Sequence, residues 1–139
     1  MRLKLLERGE WQVCAVIDDS AEDDPCCPLL EFLIELPKKH HGSRAGLFKF
    51  LREFATHGPR NFNSEQCHYV DKEEKIWQFV KGDLRILWFY GDERKLIICT
   101  HGFVKSSAKT PISQKEHAIA IKQKYLTAAR SRAVTINQE

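Results

Sequence analysis

With 139 residues, 42% hydrophobic and 29% charged, the chain has the composition of one soluble globular domain. No apolar run approaches the roughly 18 residues a membrane span needs. The opening MRLKLLERGEW is too short and too charged for a secretory signal, so a cytoplasmic location is expected.

The five cysteines, Cys14, Cys26, Cys27, Cys67 and Cys99, follow no zinc-binding spacing. Neither a metal nor a cofactor is expected. Residues 1–35 hold nine acids and three bases, a net −6, so the remainder of this +3 chain carries +9. That remainder is basic enough to attract a polyanion.

Residues 11–17 (WQVCAVI) are rich in strand formers and predict the first strand. Residues 18–25 are acidic and predict a loop. Residues 28–36 (PLLEFLIEL) predict a short buried helix, opened by Pro28 and ended by Pro37. The basic turn 38–42 follows. Ser43 can cap a second helix to about His57, with Leu47, Phe50, Leu51 and Phe54 on one face. Gly58-Pro59 stops it. The two form a helical hairpin with a basic tip.

Residues 67–70 and 75–80 predict strands around a turn at 71–74, and Lys81-Gly82-Asp83 predicts a tight turn. Residues 84–90 and 95–100 predict the strongest strands, joined by a four-residue loop at 91–94. Ser113 and Glu116 have capping-box spacing and open a last helix to about Arg130, with Thr110-Pro111 an alternative start. Residues 131–139 predict a frayed tail. The expectation is a single domain over 1–139, structured from about 11 to 130. It is α+β, with helices on one face of a mostly antiparallel sheet.

In the strand 84–90, Arg85, Leu87 and Phe89 share one face. An arginine between Leu84 and Ile86 is costly to bury unpaired. It either lines a wet groove or pairs with a carboxylate. If Tyr90 faces Lys95, Arg85 lies near Thr100, and a slip of one residue brings Cys99 or His101 beside it. In either register the loop carrying Lys105 and Lys109 starts at the same end of the sheet. Gly102 allows a ligand close to the backbone, or a bulge. Ser106, Ser107 and Thr110 add hydrogen-bond donors before a helix N-terminus, a natural anion site. Lys81 reads as a solvated turn residue. His68 and His101 fall on strands, but spacing places no pair of ribonuclease type.

The segments LRILWFY and HGFVKSSAKTP, residues 84–90 and 101–111, with the helix after them, resemble the RelE/ParE toxin superfamily, in particular its HigB-type, phage-derived branch. Residues 76–82 (IWQFVKG) and the helical hairpin 28–57 are similar in place and pattern. The resemblance implies a RelE-like fold: an N-terminal strand and helical hairpin packed on the sheet, with a C-terminal helix. It implies the toxin of a type II toxin–antitoxin module that cuts mRNA on the ribosome without a metal. It also implies a helix-turn-helix antitoxin as partner.

On this resemblance Arg85, Lys105 and His101 are the candidate catalytic residues, His101 as a proton-transfer group. Lys81, Lys109, Ser106 and Ser107 are the candidate RNA-binding residues. Val80 stands where the family has an arginine, Gln78 replaces a glutamate, and Ser106 replaces a second lysine. The superfamily also includes ParE-type toxins that inhibit DNA gyrase without nuclease activity. An inactive, phage-derived RNA-binding protein is a third reading.

Overall fold

A computed structural model of the chain describes residues 1–20, 23–106 and 109–138. Seven strands form one mixed sheet. They are β1 (Arg2–Arg8), β2 (Gln12–Val16), β3 (Cys67–Asp71), β4 (Ile76–Lys81), β5 (Leu84–Tyr90), β6 (Leu96–Val104) and β7 (Thr135–Asn137). The spatial order is β3-β4-β5-β6-β2-β1-β7. The pairs β2/β6 and β1/β7 are parallel, and the other four pairs are antiparallel. The helices are α1 (Pro28–Ile34), α2 (His41–His57) and α3 (Ile112–Arg130).

Leu84 to Phe89 are all buried, so the central strand must be covered on both faces. On one face Leu84, Ile86 and Trp88 pack with Leu29 and Leu33 of α1 and with Leu47, Leu51 and Phe54 of α2. On the other, Leu87 and Phe89 pack with Ala118 and Tyr125 of α3. The helices therefore lie on two faces, not on the single face the sequence predicts. A strand with apolar residues at both parities leaves no solvated side.

The sequence expectation is corrected at both chain ends. Residues 2–8 form a strand ahead of the predicted first one, and residues 135–137 are not a frayed tail. Each supplies the other with hydrogen-bonding partners: β7 pairs with β1 through Arg2↔Thr135, Leu3↔Ile136 and Lys4↔Asn137. Leu3 is fully buried. Arg2 also pairs with Asp19, holding the start of the acidic segment to the sheet.

The β5–β6 hairpin differs in register from the expected one. The connecting turn is residues 91–95, with Lys95 at φ 57° and the Gly91 N–H donating to Leu96 O. Tyr90 therefore faces Ile97, not Lys95. An irregularity opposite Leu87/Trp88 then adds one residue to β6, so Arg85 faces Phe103. The strand also runs four residues beyond the predicted end. Gly102 is explained by packing: a Cβ there would come within 2.5 Å of the Phe32 ring of α1.

Helix α3 begins after Pro111, whose carbonyl accepts from the Gln114 and Lys115 N–H groups. Ser113 lies inside the helix and makes no cap. Tyr125 binds Asp92 in the β5–β6 turn, and Lys122 Nζ donates to Glu74 O at 2.6 Å in the β3–β4 turn. These ties fix α3 over the middle of β5. No helix among the described residues is long and apolar enough to cross a membrane.

Candidate functional site

Helix α3 covers Leu87 and Phe89 but stops short of Arg85. The uncovered end of that sheet face is a groove of about 440 Å³. Its floor is Gln78 and Val80 of β4, Arg85 of β5 and Phe103 of β6. Its walls are His68 to Val70 of β3 and the approach to α3, residues 109–112, with Lys115. Among the described residues Arg85, Lys105, Lys109 and Lys115 line it, and no carboxylate does.

Arg85 is 9% exposed. Val80 lies opposite it on β4. Its Nη1 donates to Gly82 O at 2.7 Å and to Leu84 O at 2.9 Å. Nη2 and Nε make no hydrogen bond among the described residues. No carboxylate pairs with Arg85 there, so the groove arrangement holds rather than the ion pair. Burial lowers the guanidinium pKa, and nearby Asp83 opposes that shift. An arginine keeps its proton under such pressure.

The anchor of Arg85 is built by Gly82. This residue adopts φ +57°, and a Cβ on it would clash with Ser43 Oγ. The β4–β5 turn is thereby seated on the first turn of α2, with the Gly82 carbonyl aimed at the guanidinium.

Lys105 is fixed through its backbone, whose N–H donates to Asp83 O at 2.7 Å. Its side chain lines the groove beside Arg85. Lys109 also lines the groove. Ser106 is exposed and does not line the groove. Ser107 lies outside the described residues.

Two other candidates lie elsewhere. Lys81 follows Val80 by one residue and so faces the other way. It packs on Gly46 of α2, with Nζ 5.9 Å from the Phe50 ring centre. His101 faces α3 and is 8% exposed. One ring nitrogen lies 2.7 Å from Gln114 Oε1 and the other 2.9 Å from Thr100 Oγ1, with His117 packed edge-on. Burial lowers the His101 pKa, the Gln114 hydrogen bond raises it and His117 lowers it again. His101 joins β6 to α3 and does not line the groove.

Sequence reasoning missed His68, Gln78 and Lys115 as groove residues. His68 and Gln78 face each other across β3 and β4. Gln78 is 4% exposed. Its Oε1 accepts from Thr110 Oγ1 at 3.1 Å, and its Nε2 lies 3.3 Å from His68 Nε2. His68 Nδ1 lies 2.9 Å from Ser64 O. The signal was available only through strand pairing, because His68, Gln78 and Thr110 lie up to 42 residues apart in sequence. Lys115 reaches the groove from the first turn of α3, with Nζ 3.4 Å from Val70 O.

This arrangement suits an extended polyanion. A fixed guanidinium and three ammonium groups line a floor that carries no opposing charge among the described residues. A second hollow, of about 840 Å³, lies between α3 and the β1–β2 end of the sheet. It is larger but more apolar, and among the described residues it has no comparable cation cluster.

The family described as "Phage derived protein Gp49-like (DUF891)" matches residues 31–123. The matched stretch holds α1 from its fourth residue, α2, β3 to β6 and the first part of α3, and so contains every groove residue. No curated protein matches the chain.

Proposed function

Because the chain belongs to the Gp49-like family of phage-derived proteins, within the RelE/ParE-like toxin superfamily, we propose that it is a toxin of a type II toxin–antitoxin module. We propose further that it cuts translated mRNA on the ribosome, using its own cations rather than a metal. The observation that carries this reading is Arg85: nearly buried, anchored by Nη1, and lining a groove that has no carboxylate among the described residues.

In the proposed reaction a ribose 2′-oxygen attacks the adjacent phosphorus. The O2′–P bond forms and the P–O5′ bond breaks. The 2′-hydroxyl proton leaves, and the departing 5′-oxygen takes one from water. The products are a 2′,3′-cyclic phosphate and a 5′-hydroxyl. Negative charge grows on the phosphoryl oxygens in between, and preorganised cations stabilise it. Arg85 and Lys105 supply that charge at the reacting phosphate. Lys109 and Lys115 hold flanking phosphates. The ribosome orients the message, a proximity effect. His101 holds β6 to α3 through Gln114.

A toxin of this kind needs a partner that silences it. An antitoxin that covers the groove, carried beside a helix-turn-helix domain, is the proposed partner. Association steered by opposite charges is fast and salt-sensitive. Val80 opposite Arg85, in place of a second arginine, favours a second reading: inhibition of DNA gyrase without RNA cleavage.

Induced expression followed by mapping of mRNA 5′ ends tests the proposal. New ends inside translated reading frames support it. Growth arrest without new ends, accompanied by gyrase-dependent DNA damage, supports the second reading.

A further inference from the structure

We infer that His68 takes the proton from the attacking ribose hydroxyl, held for that task by Gln78 and Thr110. The inference rests on the nuclease reading above and adds a residue to it.

The hydrogen bonds fix the direction of the chain. Ser64 O is a carbonyl and can only accept, so His68 Nδ1, 2.9 Å away, carries the hydrogen. In the neutral ring Nε2 is then the bare nitrogen. Thr110 Oγ1 donates to Gln78 Oε1 at 3.1 Å. That turns the Gln78 NH2 toward His68 Nε2, at 3.3 Å. Each donor meets an acceptor, which fixes both the amide orientation and the histidine tautomer.

The last contact is longer than the usual 2.7–3.2 Å of an N–H bond. A hydroxyl presented from the groove can displace it and give its proton to Nε2. Gln78 also suits the state after transfer. Its amide turns over, so that Oε1 accepts from the new Nε2–H while its NH2 donates to Thr110 Oγ1. A buried amide between a hydroxyl and an imidazole thus satisfies both protonation states, which a carboxylate or an apolar residue cannot do.

The placement matches the reaction. His68 and Arg85 flank β4 on the same sheet face, two strands and two residues apart. Strand geometry puts their Cα atoms on the order of 12 Å from each other. The two side chains and one ribose phosphate fill that span. The charged groups around the groove are Arg85 from β5, Lys105 and Lys109 from the segment after β6, and Lys115 from α3. All are cations, so among these side chains His68 is the one with a bare nitrogen to offer. The proton passes from the 2′-hydroxyl to Nε2 as the O2′–P bond forms. The imidazolium then returns it to water.

The test is ribosome-dependent cleavage of a translated reporter mRNA, measured as a function of pH. Wild-type cleavage should fall toward acid, because a general base acts only with a bare nitrogen. His68→Asn keeps an N–H for Ser64 O but has no bare nitrogen. It should lose ~10²-fold at neutral pH, and its residual rate should lack the acid-side fall. Gln78→Leu, a positioning variant, should lose roughly tenfold and keep that fall. If His68→Asn does not fold, His68→Gln carries the same test. A folded variant with wild-type cleavage and an intact acid-side fall overturns the inference. If Arg85→Ala still abolishes cleavage in that experiment, the nuclease reading stands without His68. If the wild-type chain cleaves at no pH, the nuclease reading fails, and this inference with it.

Discussion

Arg85 and Phe89 lie on one strand and one face of the sheet, yet they do different work. Phe89 sits under α3 against Tyr125, ring centres 5.5 Å apart. Arg85, one turn of the pleat beyond Leu87, lies where the helix no longer reaches. The two positions share strand type, parity and near-complete burial. What separates them is the length and seating of α3, set by Tyr125 on Asp92 and Lys122 on Glu74. Along one strand, coverage by a second layer decides whether a residue belongs to a core or to a site.

Substitutions at the two ends should therefore separate stability from activity. Phe89→Ala leaves a cavity under α3 and should cost about 3–5 kcal/mol in urea unfolding, while protein that remains folded keeps its cleavage. Arg85→Ala should lower translation-dependent cleavage by ~10²–10³-fold, with a much smaller stability loss. Arg85→Lys should restore only part of the rate, because an ammonium cannot grip two phosphate oxygens. If Phe89→Ala spared stability or Arg85→Ala unfolded the chain, the division of the face would be wrong.

The anchor should show an intermediate effect on both sides. Gly82→Ala puts a Cβ on a residue at φ +57° and against Ser43 Oγ. A strained position of this kind costs of order 1–3 kcal/mol, read by thermal unfolding. Cleavage should fall with it, because the Gly82 carbonyl holds Arg85.

His101 gives a pH test of the covered end. Burial holds its pKa below the ordinary value, with the Gln114 bond opposing and His117 adding to the shift. The folded state thus binds a proton less readily than the unfolded chain. The stability gained is complete above the unfolded value of about 6.5 and is lost as pH falls through the folded pKa. His101→Gln should make this acid-side loss shallower, as measured by unfolding midpoints across pH. The smallest effect belongs to Lys38→Ala. On the exposed turn before α2, it should change cleavage by no more than about twofold, a small change in barrier.

Much of the fold was legible where periodicity is local. Leu47, Leu51 and Phe54 mark the buried face of α2 as predicted, and β5 has its predicted bounds. The missed strands depend on distant partners. β1 alternates leucines with charges and falls outside the expected core of about 11–130, yet it lies between β2 and β7. The hairpin register failed because the extra residue in β6 and the left-handed Lys95 leave no mark in the hydrophobic pattern.

The candidate site was legible in its charges and not in its neutral partners. Arg85, Lys105 and Lys109 reach the groove, as basic residues on one strand and one loop should. Lys81 does not, and its odd offset from Val80 already pointed it to the other face. His68, Gln78 and Thr110 meet only through strand pairing and the path into α3. Their hydrogen bonds had no sequence signature.

The most direct test is cleavage of a defined mRNA in a purified translation system, comparing the wild-type chain with an Arg85→Ala, Lys105→Ala double variant shown to be folded. The wild type should cut within translated codons, leaving 5′-hydroxyl ends, and the variant should lose at least ~10²-fold. Equal cleavage by both proteins would remove the groove from the reaction, and no cleavage by the wild type on actively translating ribosomes would contradict the nuclease assignment itself.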